Sequence, residues 1–296
     1  MKPPGVMLQV NVQELSWSTY DGVQIFAQLF TPQRPKAGIL LTHGWGDHQG
    51  RYSELTEYFA SRGYMMLAHD WRGHGRSAGK RGMARNIQQF CDDLELAIAK
   101  FRLRLPEPMP IFLYGHSFGG MLTLNYLLKN PERCRSEKYL AGAILTSPLF
   151  ELSMPIPQWK LRVGNVLRRF APGVRLRSGI NLWQLSEDRV YTERIATDPL
   201  RQGRISLGFF FDMLEQMRWT QANAEKLALN SLLLHGANDL ITSPTSSQLF
   251  AERATERVHL KIWSDMLHEP HASPCKAQVF AYIDDWLCGQ LSSCKN

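Results

Sequence analysis

The sequence predicts an α/β fold, in which a mostly parallel β-sheet begins with an antiparallel hairpin and carries helices on both faces. The main evidence is the alternation of short apolar runs with stretches of helical periodicity, a pattern typical of parallel sheets that are buried on both sides. Two β-type runs, at 6–16 and 23–31, indicate the hairpin because they flank Asp21-Gly22, a dipeptide that favours a tight turn. Between 150 and 222 the alternation lapses, which predicts an insertion.

Six apolar runs are the expected parallel strands, and they lie at 38–42, 64–68, 111–114, 142–145, 232–234 and 258–262. Helices are expected where apolar residues recur every three or four positions, at 52–61, 87–104, 121–128 and 274–287. The insertion is helical, punctuated by prolines and rich in arginine. We therefore expect residues 1–149 and 223–296 to form the α/β core and residues 150–222 to form a helical cap, or lid.

No apolar stretch of the chain is long enough for a signal-peptide core or a membrane span, so a cytoplasmic location is expected. The cysteines are odd in number and show no CxxC spacing, which argues against both a disulfide framework and a zinc site. We expect buried or tail thiols at Cys91, Cys134, Cys275, Cys288 and Cys294.

The formal net charge is +7, and part of it is concentrated in the expected cap. Six basic and no acidic side chains lie between 156 and 180: Lys160, Arg162, Arg168, Arg169, Arg175 and Arg177. An apolar face of the same segment contains Trp159, Val163, Val166, Leu167 and Phe170. This composition is typical of an interfacial helix in peripheral contact with an anionic membrane. The alternative is a helix that roofs the core with a solvated basic side. No nucleic-acid partner is expected.

The strongest chemical signal is Gly115-His116-Ser117-Phe118-Gly119, which lies between a predicted strand and a predicted helix. A nucleophile elbow requires this strand-turn-helix context. The two glycines let the backbone turn sharply, so that the serine is exposed at a helix N-terminus. A G-x-S-x-G match arises by chance in roughly one chain in ten of this length. The hypothesis of a nucleophilic Ser117 therefore depends on its setting and on suitable partners downstream.

A serine hydroxyl needs a general base, and a carboxylate must hold that base in the correct tautomer. In open α/β sheets such groups lie just beyond the carboxyl ends of strands. Asp239 and His268 each follow a predicted strand by a short loop, which gives the chain order Ser, Asp, His. Asp265 and His271 are the rivals, and His271 is the reserve base.

Acyl transfer also needs preorganised donors for the tetrahedral oxyanion. One expected donor is the backbone N–H of Phe118, the residue after the nucleophile. The other is the backbone N–H of Trp45, in the glycine-rich loop after the strand at 38–42. A glycine-rich turn without a catalytic role is the alternative interpretation of that loop.

No cofactor and no metal are expected. Gly44-x-Gly46 and Gly73-x-Gly75 lack the third glycine of a dinucleotide fingerprint at the required spacing. His268-Glu269-Pro270-His271 has its second histidine too early for the HExxH zinc motif.

Several motifs together resemble the monoacylglycerol lipase and lysophospholipase branch of the α/β hydrolases. They are His43-Gly44-Trp45-Gly46-Asp47-His48 with Arg51-Tyr52, Asp70-Trp71-Arg72-Gly73-His74-Gly75-Arg76-Ser77, Gly115-His116-Ser117-Phe118-Gly119-Gly120, Thr197-Asp198-Pro199-Leu200 and His235-Gly236-Ala237-Asn238-Asp239. The resemblance implies an ester hydrolase for single-chain lipids with Ser117, Asp239 and His268 as its triad. It also places Trp45 and Phe118 at the oxyanion hole, although Trp45 is bulkier than the small residue often found there and Phe118 replaces a frequent methionine.

We therefore expect a serine carboxylester hydrolase that cleaves monoacylglycerol- or lysophospholipid-type esters through an acyl-enzyme on Ser117. A general carboxylesterase, a peptidase and a carbon–carbon bond hydrolase are the alternatives among enzymes, because a fold does not determine its substrate. A non-catalytic binding protein would normally have lost a member of the triad, and all three residue types are present here.

Overall fold

A computed structural model describes residues 10–137 and 139–293 of the chain. Within these residues, eight strands form one mixed sheet and two short strands pair separately. Part of the first predicted run, at 6–9, and the predicted tail thiol of Cys294 lie outside the described residues.

The strands, in chain order, are β1 (Val10–Ser18), β2 (Gln24–Pro32), β3 (Ala37–Thr42), β4 (Tyr64–His69), β5 (Ile111–His116), β6 (Leu140–Thr146), β7 (Arg175–Arg177), β8 (Arg204–Ser206), β9 (Ser231–Gly236) and β10 (Val258–Trp263). The large sheet has the order β1-β2-β4-β3-β5-β6-β9-β10. β1 pairs antiparallel with β2, and β2 pairs antiparallel with β4. All pairs from β4 to β10 are parallel. The predicted sheet, including its antiparallel start, is confirmed.

The helices are α1 (Ser53–Ser61), α2 (Ile87–Arg102), α3 (Phe118–Lys129), α4 (Pro131–Ser136), α5 (Gln158–Phe170), α6 (Arg189–Ala196), α7 (Leu207–Ala222), α8 (Pro244–Ala254) and α9 (Lys276–Ser293). All four predicted core helices are present. α3 begins three residues before its predicted start, because Gly119 and Gly120 in its first turn interrupt the apolar periodicity. α4 and α8 were not predicted, although Ser243, which caps α8, and Pro244 at its first position form a helix-start signal.

Two buried clusters cover the two faces of the sheet. On one face, Leu40 and Leu113 of the strands pack with Phe90 of α2 and Met121 of α3. On the other face, the alternate strand residues pack with α1 and α9, and these residues include Ile39, Leu41, Phe112, Leu55, Phe59, Val279 and Ile283. Central strands buried on both faces explain why the apolar runs are continuous.

The segment 150–222 contains α5, the antiparallel pair β7–β8, α6 and α7. α5 has no buried residue, whereas α7 places Phe209, Met213 and Met217 in the buried cluster that α2 and α3 share. No helix of the described residues combines the length and the apolar character that a membrane crossing requires.

Candidate active site

Ser117 lies between β5 and α3 at the carboxyl end of the sheet. Its backbone has φ +54° and ψ −116°, in a region that non-glycine residues rarely adopt. A side chain at Gly115 would meet the carbonyl of Gly119 at 2.7 Å, and one at Gly119 would meet the carbonyl of Thr42 at 2.4 Å. The two glycines therefore allow the strand and the helix to approach closely, and the serine between them is held in a sharp turn.

His268 contacts both other members of the predicted triad. Its Nε2 lies 3.0 Å from Ser117 Oγ, and its Nδ1 lies 2.7 Å from Asp239 Oδ2. The three residues follow the carboxyl ends of β5, β9 and β10, which are parallel strands of one sheet with β6 between β5 and β9. The sheet thus brings together Ser117 and His268, which are 151 residues apart in sequence. This geometry fits an imidazole that donates a hydrogen bond from Nδ1 and accepts the serine proton at Nε2.

Hydrogen bonds hold Asp239 from several directions. Its Oδ1 accepts from the backbone N–H groups of Ile241 and Thr242, and its Oδ2 accepts from Thr242 Oγ1 at 2.8 Å. His235 Nε2 lies 2.9 Å from the same Oδ2. Burial alone would raise the pKa of Asp239, but His268 and the hydrogen bond from His235 hold it well below its usual range. Burial opposes the protonation of His268, yet the charge of Asp239 and its hydrogen bond raise the pKa of His268 above 6.5.

The rival residues occupy other environments. Asp265 is exposed and accepts a hydrogen bond from Ser264. His271 is buried, stacks on Tyr52 with ring centroids 4.3 Å apart, and makes no hydrogen bond with the described residues. Burial lowers the pKa of His271 to about 3. Of the two candidate histidines, only His268 is hydrogen-bonded to Ser117.

The loop after β3 lies against Ser117. A Cβ atom on Gly44 would lie 3.4 Å from Ser117 Cβ. Among the described residues, no protein acceptor is hydrogen-bonded to the backbone N–H of Trp45 or Phe118. The indole of Trp45 stacks on Phe209 of α7 with ring centroids 5.0 Å apart. The bulk of Trp45 is therefore accommodated among aromatic side chains, and its N–H remains unpaired beside Ser117.

A buried ion cluster lies beside this loop, and local sequence patterns did not predict it. Arg51 donates to both carboxylate oxygens of Glu269 at 2.7–2.8 Å and to Tyr191 at 2.7 Å. It also lies 2.8 Å from Asp47. Arg51 thus connects the loop after β3, the residue that follows His268, and α6. The signals in the sequence were the adjacency of Glu269 to His268 and the presence of Asp47 and Arg51 in the motifs that carry the family resemblance.

Two adjoining cavities lie over the carboxyl end of the sheet. The smaller is lined by Ser117 and His268 and by the polar side chains of Asp47, Arg51, Arg201 and Glu269. The larger is a cleft of about 720 Å³ among α5, β7 and α7. Its walls are mostly apolar and include Trp159, Leu161, Val163, Leu167, Leu176, Ile205, Leu207, Phe210 and Phe211. Ile180 lines both cavities, so the polar site and the apolar cleft meet there.

Within residues 10–137 and 139–293, no group of three or more histidine, cysteine, aspartate or glutamate side chains has the arrangement of a metal site.

Residues 33–274 match the family described as serine aminopeptidase, S33 (Hydrolase_4). An uncharacterized abhydrolase domain-containing protein of Dictyostelium discoideum is 33% identical over 281 residues, which cover 94% of this chain and 29% of that protein. A monoacylglycerol lipase of Mycolicibacterium smegmatis is 26% identical over 288 residues, which cover 96% of this chain and 100% of that protein. The crystal structure of the Paleococcus ferrophilus monoacylglycerol lipase superposes with a TM-score of 0.78 at 26% identity, covering 95% of this chain and 99% of that one.

Proposed function

The chain belongs to the serine aminopeptidase S33 (Hydrolase_4) family, and on that premise we propose that it is a serine hydrolase of single-chain lipid esters such as monoacylglycerols. The observation that carries the proposal is the continuous contact from Asp239 through His268 to Ser117 Oγ. The similarity to two monoacylglycerol lipases, each covered over nearly its full length, supports this substrate class.

In the proposed reaction, Ser117 Oγ attacks the ester carbonyl while His268 Nε2 accepts its proton. The negative charge that develops on the carbonyl oxygen is stabilised by the N–H groups of Trp45 and Phe118, which have no other acceptor within residues 10–137 and 139–293. His268 then donates the proton to the departing alcohol, which leaves an acyl-enzyme. A water molecule, deprotonated by His268, releases the fatty acid and regenerates Ser117.

The two cavities differ in polarity in the same way as the two parts of such a substrate. The acyl chain occupies the apolar cleft of about 720 Å³, and the alcohol lies among the polar side chains of the smaller cavity. In this proposal residues 150–222 act as a cap over a core formed by residues 1–149 and 223–296. α5, β7 and α7 contribute the walls of the cleft, which supports that division.

A peptidase is the less favoured alternative. A free peptide N-terminus is cationic and needs an available carboxylate. Asp47 and Glu269, which line the smaller cavity, are both paired with Arg51, and Arg201 adds a further positive charge. Both carboxylates that line the pocket are therefore already bonded to Arg51 and are not free to bind a cationic N-terminus beside Ser117.

The proposal is tested by measuring kcat/KM for a panel of monoacylglycerols, lysophospholipids, short p-nitrophenyl esters and aminoacyl p-nitroanilides. We expect the single-chain lipid esters to give the highest values. We also expect a fluorophosphonate probe to label Ser117, and Ser117→Ala to lower kcat by a factor of about 10⁴ or more. Highest activity on the anilides, or full activity of Ser117→Ala, would refute the proposal.

We further propose that the enzyme acts in the cytoplasm and makes peripheral contact with anionic membranes through α5. Trp159 and Phe170 of this helix are 64% and 82% exposed, and Arg162 and Arg169 lie on the same helix. The described cysteines are free thiols, which agrees with a reducing compartment. Binding to phosphatidylglycerol vesicles should weaken as salt rises, because salt screens the charges. Vesicle binding that is absent at low salt, or indifferent to salt, would contradict the proposal.

A further inference from the structure

Hydrogen bonds join the segment 201–204 to the loop that faces Ser117. Gln202 N–H donates to Gly46 O at 3.0 Å, and Trp45 Nε1 donates to Arg204 O at 3.1 Å. Gln202 Nε2 lies 3.2 Å from the ring of His74, which is buried. The backbone on both sides of Gln202 is thus held against the active site, and Arg201 has a defined position at its edge.

The side chain of Arg201 lines the cavity over Ser117, together with His268 and Glu269. Its guanidinium makes no hydrogen bond and no ion pair with the residues that the structure describes. Arg51, in the same cavity, instead has two carboxylate partners, Asp47 and Glu269. The cavity is therefore lined by Arg51, which has two carboxylate partners, and by Arg201, whose guanidinium has no acceptor among the described residues.

The nearby acidic groups are already engaged elsewhere. Asp47 and Glu269 accept from Arg51, and Asp198 accepts from His48 at 2.6 Å and from the backbone N–H of Leu200. Partial burial, followed by the charge of Arg51, lowers the pKa of Arg201 from its usual value, although the charges of Asp47, Glu269 and Asp198 act in the opposite direction. A partly desolvated guanidinium whose N–H groups have no acceptor among the described residues gains hydrogen bonds when an anion enters, and it matches a phosphate with two parallel hydrogen bonds.

We propose that Arg201 is the anion-binding residue of the Ser117 pocket. It favours single-chain glycerolipids that carry a phosphate on the glycerol over neutral monoacylglycerols. The acyl chain lies in the apolar cleft, so the glycerol and its phosphate lie on the polar side of Ser117, towards Arg201. This inference rests on the proposed function and specifies the head group of its substrate.

The test compares 1-decanoylglycerol with 1-decanoylglycerol 3-phosphate, both below their critical micelle concentrations, on the full chain. In the wild type, kcat/KM should be higher for the phosphate. In Arg201→Gln, the ratio of the two values should fall at least about tenfold, mainly through the KM of the phosphate, which corresponds to about 1.4 kcal/mol. Arg201→Lys should keep part of the preference. Arg135→Gln, which removes an exposed arginine of α4, should leave the ratio unchanged.

Fluorophosphonate labelling and thermal melting establish that Arg201→Gln is folded with an intact nucleophile. A ratio that does not change in Arg201→Gln, while both esters are hydrolysed, overturns the inference and leaves the proposed function standing. A second result would also overturn the inference. If decanoate inhibits Arg201→Gln more weakly than the wild type while that ratio is unchanged, Arg201 binds the carboxylate of the product and not a phosphate of the head group. Failure of the wild type to hydrolyse either ester counts instead against the proposed function.

Discussion

Glu269 and Arg51, 218 residues apart in sequence, form a buried two-point ion pair in which Arg51 Nη2 lies 2.7–2.8 Å from both carboxylate oxygens. Glu269 directly follows His268, and its backbone N–H donates to Leu185 O at 2.8 Å. The position of His268, the proposed base, therefore depends on a contact with the loop after β3.

Replacement of this carboxylate should affect both stability and activity. Glu269→Gln leaves Arg51 with one buried charge partner fewer, and we expect a loss of about 3 kcal/mol in the free energy of unfolding, measured with urea. The activity should also fall, because the loop of His268 loses its anchor. Glu54→Gln removes an exposed partner of Lys276 and should cost less than about 1 kcal/mol. Equal losses of unfolding free energy in Glu269→Gln and Glu54→Gln would show that the buried ion pair stabilises the fold no more than the exposed one.

The dependence of activity on pH should follow the environment of His268. The base must be neutral, and its pKa is raised above 6.5, so kcat/KM should rise with pH through a pKa above that value. Asp239→Asn removes the charge that raises this pKa and should lower kcat by a factor of about 10⁴. The residual kcat/KM of Asp239→Asn should therefore rise with pH through a lower pKa than the kcat/KM of the wild type does. Asp265→Asn changes the exposed rival and should behave as the wild type; inactivity of that variant would reassign the carboxylate.

Stability should decline in mild acid because five histidines are buried in their neutral form. Burial lowers the pKa of each, to about 3 for His69 and His271, to about 4 for His74, and below 6.5 for His43 and His116. Below pH 6.5 the unfolded chain binds protons that the folded chain does not, which costs about 1.4 kcal/mol per pH unit for each fully titrating site. The pKa of His268 is raised instead, so its protonation in the folded chain offsets the cost from one of these five histidines.

We therefore expect the melting temperature to fall by at least about 5 °C between pH 6.5 and pH 5. His69→Gln should flatten the dependence of unfolding free energy on pH by about one proton. His259→Gln is the control, because it replaces an exposed histidine of β10. A melting temperature that is constant over this interval would contradict the expectation.

Gly46 should be more sensitive to substitution than another glycine of similar conformation. Gly46 has φ +77°, and a Cβ atom there would lie 2.2 Å from Gln202 O. Gly22 has φ +82° with nothing within 4 Å. Gly22→Ala should cost about 1 kcal/mol of stability and leave kcat unchanged. Gly46→Ala must displace the loop that bears the Trp45 N–H, and kcat should fall by about 10²-fold. Similar kcat values for the two variants would exclude Trp45 as a donor.

The sequence predicted those features that depend on local pattern. Continuous apolar runs indicated the central strands because both of their faces are buried, and Gly115 and Gly119 marked the turn at Ser117. Asp239 and His268 were placed near Ser117 because parallel strands end at the same edge of a sheet. Their hydrogen-bonded contact is a feature of the structure.

Features that depend on distant pairing were not predictable. Three such features leave no periodic signal, because each depends on which loops the sheet brings together. They are the Arg51–Glu269 pair, the contact of His235 with Asp239 and the position of Arg201. The short strands β7 and β8 have only three residues each, too few for an alternating pattern to be recognised.

The turn at Ser117 also constrains how this protein can be improved. A residue held at φ +54° costs free energy that glycine would not, so Ser117→Gly is expected to stabilise the fold while removing the nucleophile. Selection for heat resistance alone would therefore enrich inactive variants at this position. Directed evolution of a robust catalyst from this chain needs a selection for turnover at every round, because Ser117, the proposed nucleophile, lies where greater stability and greater activity oppose each other.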